Sequence, residues 1–223
     1  MTVVYEDNHI IIVNKAASEI VQGDKTGDTP LSQTVQQYLK ERHQKPGNVF
    51  IGVVHRLDRP VSGLVLFAKT SKALTRLNEL FQRGEIKKTY WAIVKNPPPQ
   101  PEAELVHFLT RNEAKNRSYA HTAEVKGSKK AILHYRLLAQ SENYYLLEIE
   151  LKTGRHHQIR CQLAAIGCPI KGDLKYGFAR SNPDASISLH ARRIQFVHPV
   201  SKEWIEVKAP VPEETLWKSF RME

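Results

Sequence analysis

The chain has 223 residues, of which 41% are hydrophobic and 25% are charged. These values are typical of a globular protein and exclude a disordered or fibrous one. The apolar runs are too short to cross a bilayer, and the N-terminal segment lacks the basic and apolar stretches of a signal peptide. We therefore expect a soluble, cytoplasmic protein.

The net charge of +10 is concentrated in two separate parts of the chain. Residues 51–100 and residues 151–200 each carry a net charge of +6, whereas the other segments are neutral or slightly acidic. If the fold brings the two basic segments together, they form one face suited to a polyphosphate backbone. Composition alone leaves RNA, DNA, an anionic membrane and an ordinary solvated surface open as alternatives.

The cysteine and histidine patterns do not favour a disulfide scaffold or a metal enzyme. Cys161 and Cys168 are the two cysteines of the sequence, too few for a disulfide framework. The ten histidines are scattered, and the sequence contains neither a CxxC nor an HExxH motif. We expect no metal.

The first third of the chain predicts a hairpin, a helix, two strands around a polar corner and a second helix. Thr29 before Pro30 favours a helix start, and Ser71 favours the N-cap of a helix whose apolar stripe ends before Gly84. In chain order the predicted elements are strands 3–5 and 9–14, a helix from Thr29, strands 49–54 and 63–69, and a helix from Ser71.

Strands predominate in the rest of the chain. The predicted elements are strands 89–94, 120–125, 131–138 and 144–151, a helix over 156–166, and strands 187–197 and 204–208. About three helices with no regular βαβ alternation indicate an α+β fold, with a mixed or antiparallel central sheet and a few flanking helices.

The polar corner carries an unusual arrangement of charge. Asp58 lies between Arg56 and Arg59, after an apolar strand and directly before the Arg59-Pro60 step. Pairing with a guanidinium would keep this carboxylate ionised even when it is partly buried. Near a phosphate-binding surface it could then act as nucleophile or base on a nucleotide. The alternative is a structural Arg–Asp pair that holds a turn, and the spacing alone does not decide between them.

Five blocks of sequence resemble the signature of the RluA family of RNA pseudouridine synthases. They are HRLDRPVSGL at 55–64, KKTYWAIV at 87–94, LKTGRHHQIR at 151–160, GDLKYG at 172–177, and SLHA at 188–191 followed by FVHP at 196–199. The resemblance implies a single pseudouridine synthase catalytic domain over residues 1–223. It also implies isomerisation of uridine in RNA to its C-glycoside, pseudouridine, without cofactor or metal.

The same resemblance assigns roles to individual residues. Asp58 matches the catalytic aspartate, as nucleophile or base, and Arg155 matches the basic residue paired with it. Tyr90 matches the aromatic residue that stacks on the target base, although its strand pattern also suits a core position. Arg56 matches the residue that fills the gap left by the flipped uridine. The predicted catalytic set is Asp58, Tyr90 and Arg155, and the predicted RNA-binding set is Arg56, Arg59, Lys88 and Arg160.

One segment departs from the family pattern. Where the family commonly has Asn-Lys-Pro-Ala-Gly, this chain has Asn14-Lys15-Ala16-Ala17-Ser18. Losing the proline and the glycine changes the conformations open to this loop and its expected contact with RNA. The chain also begins at the catalytic-domain hairpin, so we expect the catalytic domain without the small RNA-binding domain that precedes it in some relatives.

These observations lead to one main expectation and two rivals. We expect a monomeric isomerase that acts on a stem-loop of structured ribosomal or transfer RNA and does not bind membranes. A non-catalytic RNA-binding or ribosome-assembly protein on the same fold is the first rival, and the joint presence of Asp58, Tyr90 and Arg155 argues against it. A phosphatase or nuclease is the second, and the sequence shows no acidic cluster for a divalent metal.

Overall fold

The computed structural model describes residues 1–220, which form two compact units. The first unit contains residues 1–86 and 191–210, and the second contains residues 87–190 with the described residues from Val211 on. Each unit combines antiparallel strands with helices, which confirms the predicted α+β class. The interpretation of 1–223 as a single catalytic domain stays a prediction.

The first unit is a sheet with two helices. Its strands follow the order β1-β2-β4-β10, with β11 beyond β10, and the short β3 also pairs with β4. The elements are β1 (Thr2–Glu6), β2 (Ile10–Lys15), α1 (Leu31–Arg42), β3 (Gly52–Val53), β4 (Ser62–Ala68), α2 (Ser71–Gln82), most of β10 (Leu189–Val197), and β11 (Trp204–Lys208).

Two details of the first unit differ from the sequence prediction. The predicted strand 49–54 is reduced to Gly52–Val53, because only these two residues pair with β4. The helix α2 is capped by Thr70 instead of Ser71: the Thr70 hydroxyl accepts a hydrogen bond from the Ala73 amide at 3.1 Å. The buried side of α2, centred on Leu77, packs with β2 and β4 in one apolar core.

Gly63 fixes the spacing between β4 and β10. Its φ of 114° lies in a region that L-residues rarely adopt, and a Cβ there would overlap the backbone of Ala191. The backbones of β4 and β10 therefore come too close at Gly63 for any side chain, five residues after Asp58.

The second unit is a five-stranded antiparallel sheet in the order β5-β9-β8-β6-β7. Its elements are β5 (Lys87–Val94), β6 (Glu102–Asn112), β7 (Arg117–His121), β8 (Lys129–Gln140), β9 (Tyr145–Leu151), α3 (Gln158–Ala165), a single 3₁₀ turn (Leu174–Tyr176), and α4 (Thr215–Ser219). The sequence did not predict β6, and it placed β7 three residues too late.

The helix α3 covers one face of the β6–β7–β8 region. Leu109, Ala131, Cys161 and Tyr176 form the apolar cluster between them. Cys161 and Cys168 are both buried and unbridged, and burial raises the pKa of the Cys161 thiol to about 11. Among the helices of residues 1–220, none has the length and apolar composition needed to cross a bilayer.

Candidate active site

Asp58 lies on the turn that leads into β4. The Asp58 carbonyl accepts a hydrogen bond from the Val61 amide at 3.0 Å, which closes the turn. Leu57 and Val61 on either side of it are buried, whereas Asp58 itself is half-buried. The two apolar neighbours therefore anchor the turn in the core and leave the carboxylate at its edge.

The buried ammonium of Lys15 donates hydrogen bonds to the backbone of this turn. Lys15 is 1% exposed, and its Nζ donates to the carbonyls of Ala16 (2.9 Å), Arg59 (3.1 Å) and Val61 (2.7 Å). Desolvation lowers the pKa of Lys15 to about 8, against the opposing attraction of the Glu19 and Asp58 carboxylates. Lys15 is a site residue that sequence reasoning missed, because two of its three carbonyl partners lie on a distant part of the chain.

The loop that departs from the family pattern reaches the same turn. The Ser18 amide donates to the Arg59 carbonyl at 2.9 Å, and Ser18 has a φ of 74°. A serine therefore occupies the left-handed conformation that favours glycine, the residue commonly found there in the family. The backbone contact with the Asp58 turn is present despite the substitution.

Replacing Ser18 by glycine should stabilise the protein. The left-handed conformation costs an L-residue about 1–2 kcal/mol, and the greater entropy of unfolded glycine offsets about half of that. We expect Ser18→Gly to raise the free energy of unfolding by about 0.5–1 kcal/mol, measured by urea denaturation. Ser32→Gly inside α1 is the matched control and should destabilise. A loss of stability in Ser18→Gly would contradict the strain at this position.

The two arginines beside Asp58 have different surroundings. Arg56 is exposed. The Arg59 guanidinium lies 2.7 Å from Asp28 and 3.8 Å from Asp24, and it donates to the Thr26 hydroxyl at 2.9 Å. Carboxylates of the preceding loop thus contact the Arg59 guanidinium, and charge pairing of Asp58 with a guanidinium stays a prediction. The Arg59 side chain remains 38% exposed.

In the second unit, Lys88 and Tyr90 lie on β5. Tyr90 pairs with Ile149 of β9 and is 6% exposed, so its ring is part of the core. Lys88, two residues earlier on the same face, is half-buried, and its burial lowers the pKa of the ammonium. A Cβ on Gly154 would lie 3.6 Å from Lys88 Nζ, which places the ammonium beside the turn after β9.

Arg155 lies on that same turn. Its amide donates to Gln158 Oε1 at 2.9 Å, and its Nε donates to the Lys130 carbonyl at 3.0 Å. The side-chain amide of Gln158 in turn donates to the Ile132 carbonyl at 3.0 Å. The turn is thus tied to both α3 and β8 and presents the exposed Arg155 near Lys88. Pairing between Arg155 and Asp58 stays a prediction.

A hydrogen-bond network behind Arg155 was not expected from the sequence. The Ser118 amide donates to the Tyr176 hydroxyl at 2.8 Å, so the hydroxyl proton is available to His157 Nδ1, 3.0 Å away. His157 has a φ of 50° at the start of α3. Tyr176 of the GDLKYG block therefore hydrogen-bonds to His157, the residue with a left-handed backbone two positions after Arg155.

Arg160 is buried in an ion pair with Asp173. Its Nε and Nη2 donate to the two carboxylate oxygens at 2.7 and 2.9 Å, and its guanidinium lies 5.1 Å from the centre of the Tyr176 ring. The side chains are 6% and 1% exposed. This geometry does not support the predicted phosphate contact, and we do not carry Arg160 into the RNA-binding set.

The comparison with known families bears directly on these residues. The model of the RNA pseudouridylate synthase family matches residues 9–165, which include Asp58, Tyr90 and Arg155. The chain belongs to this family. A Bacillus subtilis protein named "Uncharacterized RNA pseudouridine synthase YhcT" is 32% identical over 218 residues, which cover 96% of this chain and 70% of the relative.

Other relatives agree with this assignment. The "Ribosomal large subunit pseudouridine synthase D" of Zymomonas mobilis is 30% identical, again over 96% of this chain and 70% of the relative. Among solved structures, "Human RNA Pseudouridylate Synthase Domain Containing 4" superposes with a TM-score of 0.78 at 20% identity, covering 95% of this chain and 89% of that one. This likeness confirms the fold, and the relatives confirm the predicted RluA-type family.

The pseudouridine synthases are isomerases that convert uridine in RNA to pseudouridine, so the predicted enzyme class is confirmed. The family match ends at residue 165. Asp173 and Tyr176 therefore lie outside it, although they support Arg160 and His157 within it. The roles of the individual site residues stay predictions.

Proposed function

We propose that this pseudouridine synthase modifies specific uridines in structured RNA and that Asp58 is its catalytic carboxylate. The supporting observation is the placement of Asp58: a half-buried carboxylate on a turn held by the buried ammonium of Lys15. Such a turn keeps the carboxylate oriented before the substrate arrives, which is the requirement for nucleophile or base catalysis. We propose Asp58 as the nucleophile or the base of this reaction.

The isomerisation needs no redox partner. The glycosidic bond between C1′ and N1 breaks, the base turns, and a bond forms between C1′ and C5 while the C5 proton is lost and N1 gains one. An ionised carboxylate can start this sequence by attacking the sugar or by removing a proton. The chain's own residues are then needed to bind the flipped nucleotide and to orient it.

We further propose ribosomal or transfer RNA as the substrate class. Relatives named ribosomal large subunit pseudouridine synthases include D from Zymomonas mobilis and C from Buchnera aphidicola, which favours ribosomal RNA. Arg56, Arg59 and Lys88 are the cations closest in sequence to Asp58 and Tyr90, and they are our candidates for contacts with flanking phosphates. Cytoplasmic location and a monomeric state stay predictions.

Substitutions of Tyr90 distinguish a stacking role of its ring from a purely structural role. Stacking on a base is worth about 1–3 kcal/mol and needs the ring but not the hydroxyl. We expect Tyr90→Phe to bind RNA as the wild type does and Tyr90→Leu to bind it more weakly, in a fluorescence anisotropy titration. Equal binding by all three proteins would exclude stacking, and a loss of turnover confined to Tyr90→Phe would indicate chemistry at the hydroxyl.

The size of the substrate tests the proposal of local recognition. Base flipping costs least in loops, where no pair has to be broken. We expect a stem-loop of about 20 nucleotides around the modified uridine to react, because an extruded loop base needs contacts only with adjacent phosphates. Its affinity should fall with salt, with a log–log slope of about −0.7 for each phosphate contacted. Turnover confined to full-length RNA or to an assembled particle would contradict this proposal.

A further inference from the structure

The outer face of strands β6, β7 and β8 carries an aromatic and cationic surface that the proposed chemistry does not use. Side chains alternate along these strands, and those of His107, Leu109, Ser118 and Ala131 are buried on the side of α3. Their neighbours point the other way. We call this surface the arm face, and it consists of Val106, Phe108, Tyr119, His121, Lys130 and Ile132.

The strand register makes the arm face continuous. Phe108 lies opposite Lys130 on one side and opposite His121 on the other, and Val106 lies opposite Ile132. Tyr119 follows along β7, two residues before His121. Val106 is 41% and Tyr119 is 37% exposed, so the surface is open to solvent in the described chain.

The charge of the arm face is positive. Lys130 contributes an ammonium opposite Phe108, and the Arg117 guanidinium lies 5.4 Å from the centre of the Tyr119 ring. On the same face of β6, Glu104 lies about 7 Å along the strand from Val106 and about 20 Å from the position opposite Tyr119, so the end of the arm face with Tyr119 and Lys130 is the cationic one. Carboxylates further along the sheet already face cations, as in the Glu148–Arg136 pair at 3.0 Å.

Aromatic rings beside cations, at the end of the face away from Glu104, are the chemistry that binds single-stranded nucleic acid. A protein partner would favour an apolar contact surface whose centre is depleted of charge, whereas Phe108 and Tyr119 lie beside the Lys130 ammonium and the Arg117 guanidinium. We propose that the arm face binds a single-stranded segment of the RNA substrate. This inference rests on the proposed function and adds a second contact surface to it.

The position of β7 explains how one RNA can reach both surfaces. Paired residues of neighbouring strands point to the same face of a sheet. Tyr90 pairs with Ile149, which pairs with Tyr135. Tyr135 shares its face with Leu133 and Ala131, which point inward. Tyr90 and the arm face therefore lie on opposite faces of the same sheet. β7 is the last strand in the order of this unit. The Arg117 side chain lies near both Tyr119 and Tyr176. Arg117 therefore marks the β7 edge of the sheet, around which the RNA strand would pass.

A uridine-free probe separates the arm face from the catalytic chemistry. We would titrate the full chain with a fluorescein-labelled 12-nucleotide oligoadenylate and measure anisotropy. We expect Tyr119→Ala to weaken binding about tenfold and Tyr119→Phe to bind as the wild type does, because stacking needs only the ring. We expect Lys130→Gln to weaken binding and to lower the salt slope by about 0.7.

Matched controls keep the result specific. Lys40→Gln removes the same charge from an exposed position of α1 and should leave oligoadenylate binding unchanged, as should Asp58→Asn. Wild-type binding by Tyr119→Ala and Lys130→Gln, or an equal loss in Lys40→Gln, would overturn the proposal.

A second assay separates this inference from the proposed function. Two substrate RNAs are compared: a bare stem-loop and the same stem-loop with a 12-nucleotide single-stranded extension. We expect Tyr119→Ala to raise KM for the extended RNA but not for the bare stem-loop, with kcat unchanged for both. If no protein forms pseudouridine while oligoadenylate binding still depends on Tyr119, the proposed function fails and the arm face stands. An equal rise of KM for both RNAs would contradict a separate contact surface.

Discussion

Replacing Asp58 by asparagine should abolish pseudouridine formation and leave RNA binding nearly intact. The amide keeps the shape of the side chain but can serve neither as nucleophile nor as base. We expect turnover to fall at least about a thousandfold, which corresponds to about 4 kcal/mol of transition-state stabilisation. RNA affinity should stay within about tenfold, or about 1.4 kcal/mol, because the phosphate contacts remain.

The control for this variant is Asp184→Asn, which changes an exposed carboxylate in the second unit. It should retain wild-type turnover and affinity. Both quantities should be measured on the same RNA, turnover by release of tritium from uridine labelled at C5 and affinity by filter binding. Substantial turnover by pure Asp58→Asn protein would refute the assignment of Asp58.

Removing the carboxylate of Asp173 should destabilise the protein strongly. The Arg160 and Asp173 side chains are 6% and 1% exposed, so Asp173→Ala leaves a guanidinium charge without its partner in the core. Breaking a buried pair in this way typically costs about 3–5 kcal/mol. Urea denaturation should show a loss of this size in the free energy of unfolding.

Replacement of both partners is the informative companion experiment. Because the pair's attraction is offset by the cost of desolvating two charges, Arg160→Met with Asp173→Leu should recover most of the lost stability. The opposite outcome is expected if Arg160 binds phosphate. Asp173→Ala would then change the free energy of unfolding by no more than about 1 kcal/mol, as for an exposed ion pair. It would instead alter the affinity for RNA.

The sequence predicted the elements whose pattern is local. The stripe through Leu77 on α2 and the alternation in β11 follow from helical and strand periodicity, and both elements lie where they were predicted. β6 was missed because Glu102, Glu104 and His107 interrupt its apolar pattern. It forms through its register with β8, a strand from which it is separated in the chain by the whole of β7.

In the candidate site, too, local patterns were predictable from the sequence and contacts between distant parts of the chain were not. Asp58 and its corner were recognisable from one contiguous motif. The partners of Arg59 were not, because Asp24 and Asp28 lie on the loop that precedes α1, far from Arg59 in the sequence. The carbonyl contacts of Lys15 and the pairing of Arg160 with Asp173 also join separate parts of the chain, and a charged residue in a motif does not reveal whether it faces RNA or the core.

The most direct test maps pseudouridine in RNA treated with the purified protein. Total RNA from cells that lack the gene would be incubated with the wild type or with Asp58→Asn, and modified positions would be identified by carbodiimide labelling and mass spectrometry. We predict conversion of one or a few uridines in ribosomal or transfer RNA by the wild type and none by Asp58→Asn. No conversion by the wild type, or equal conversion by both proteins, would contradict the account.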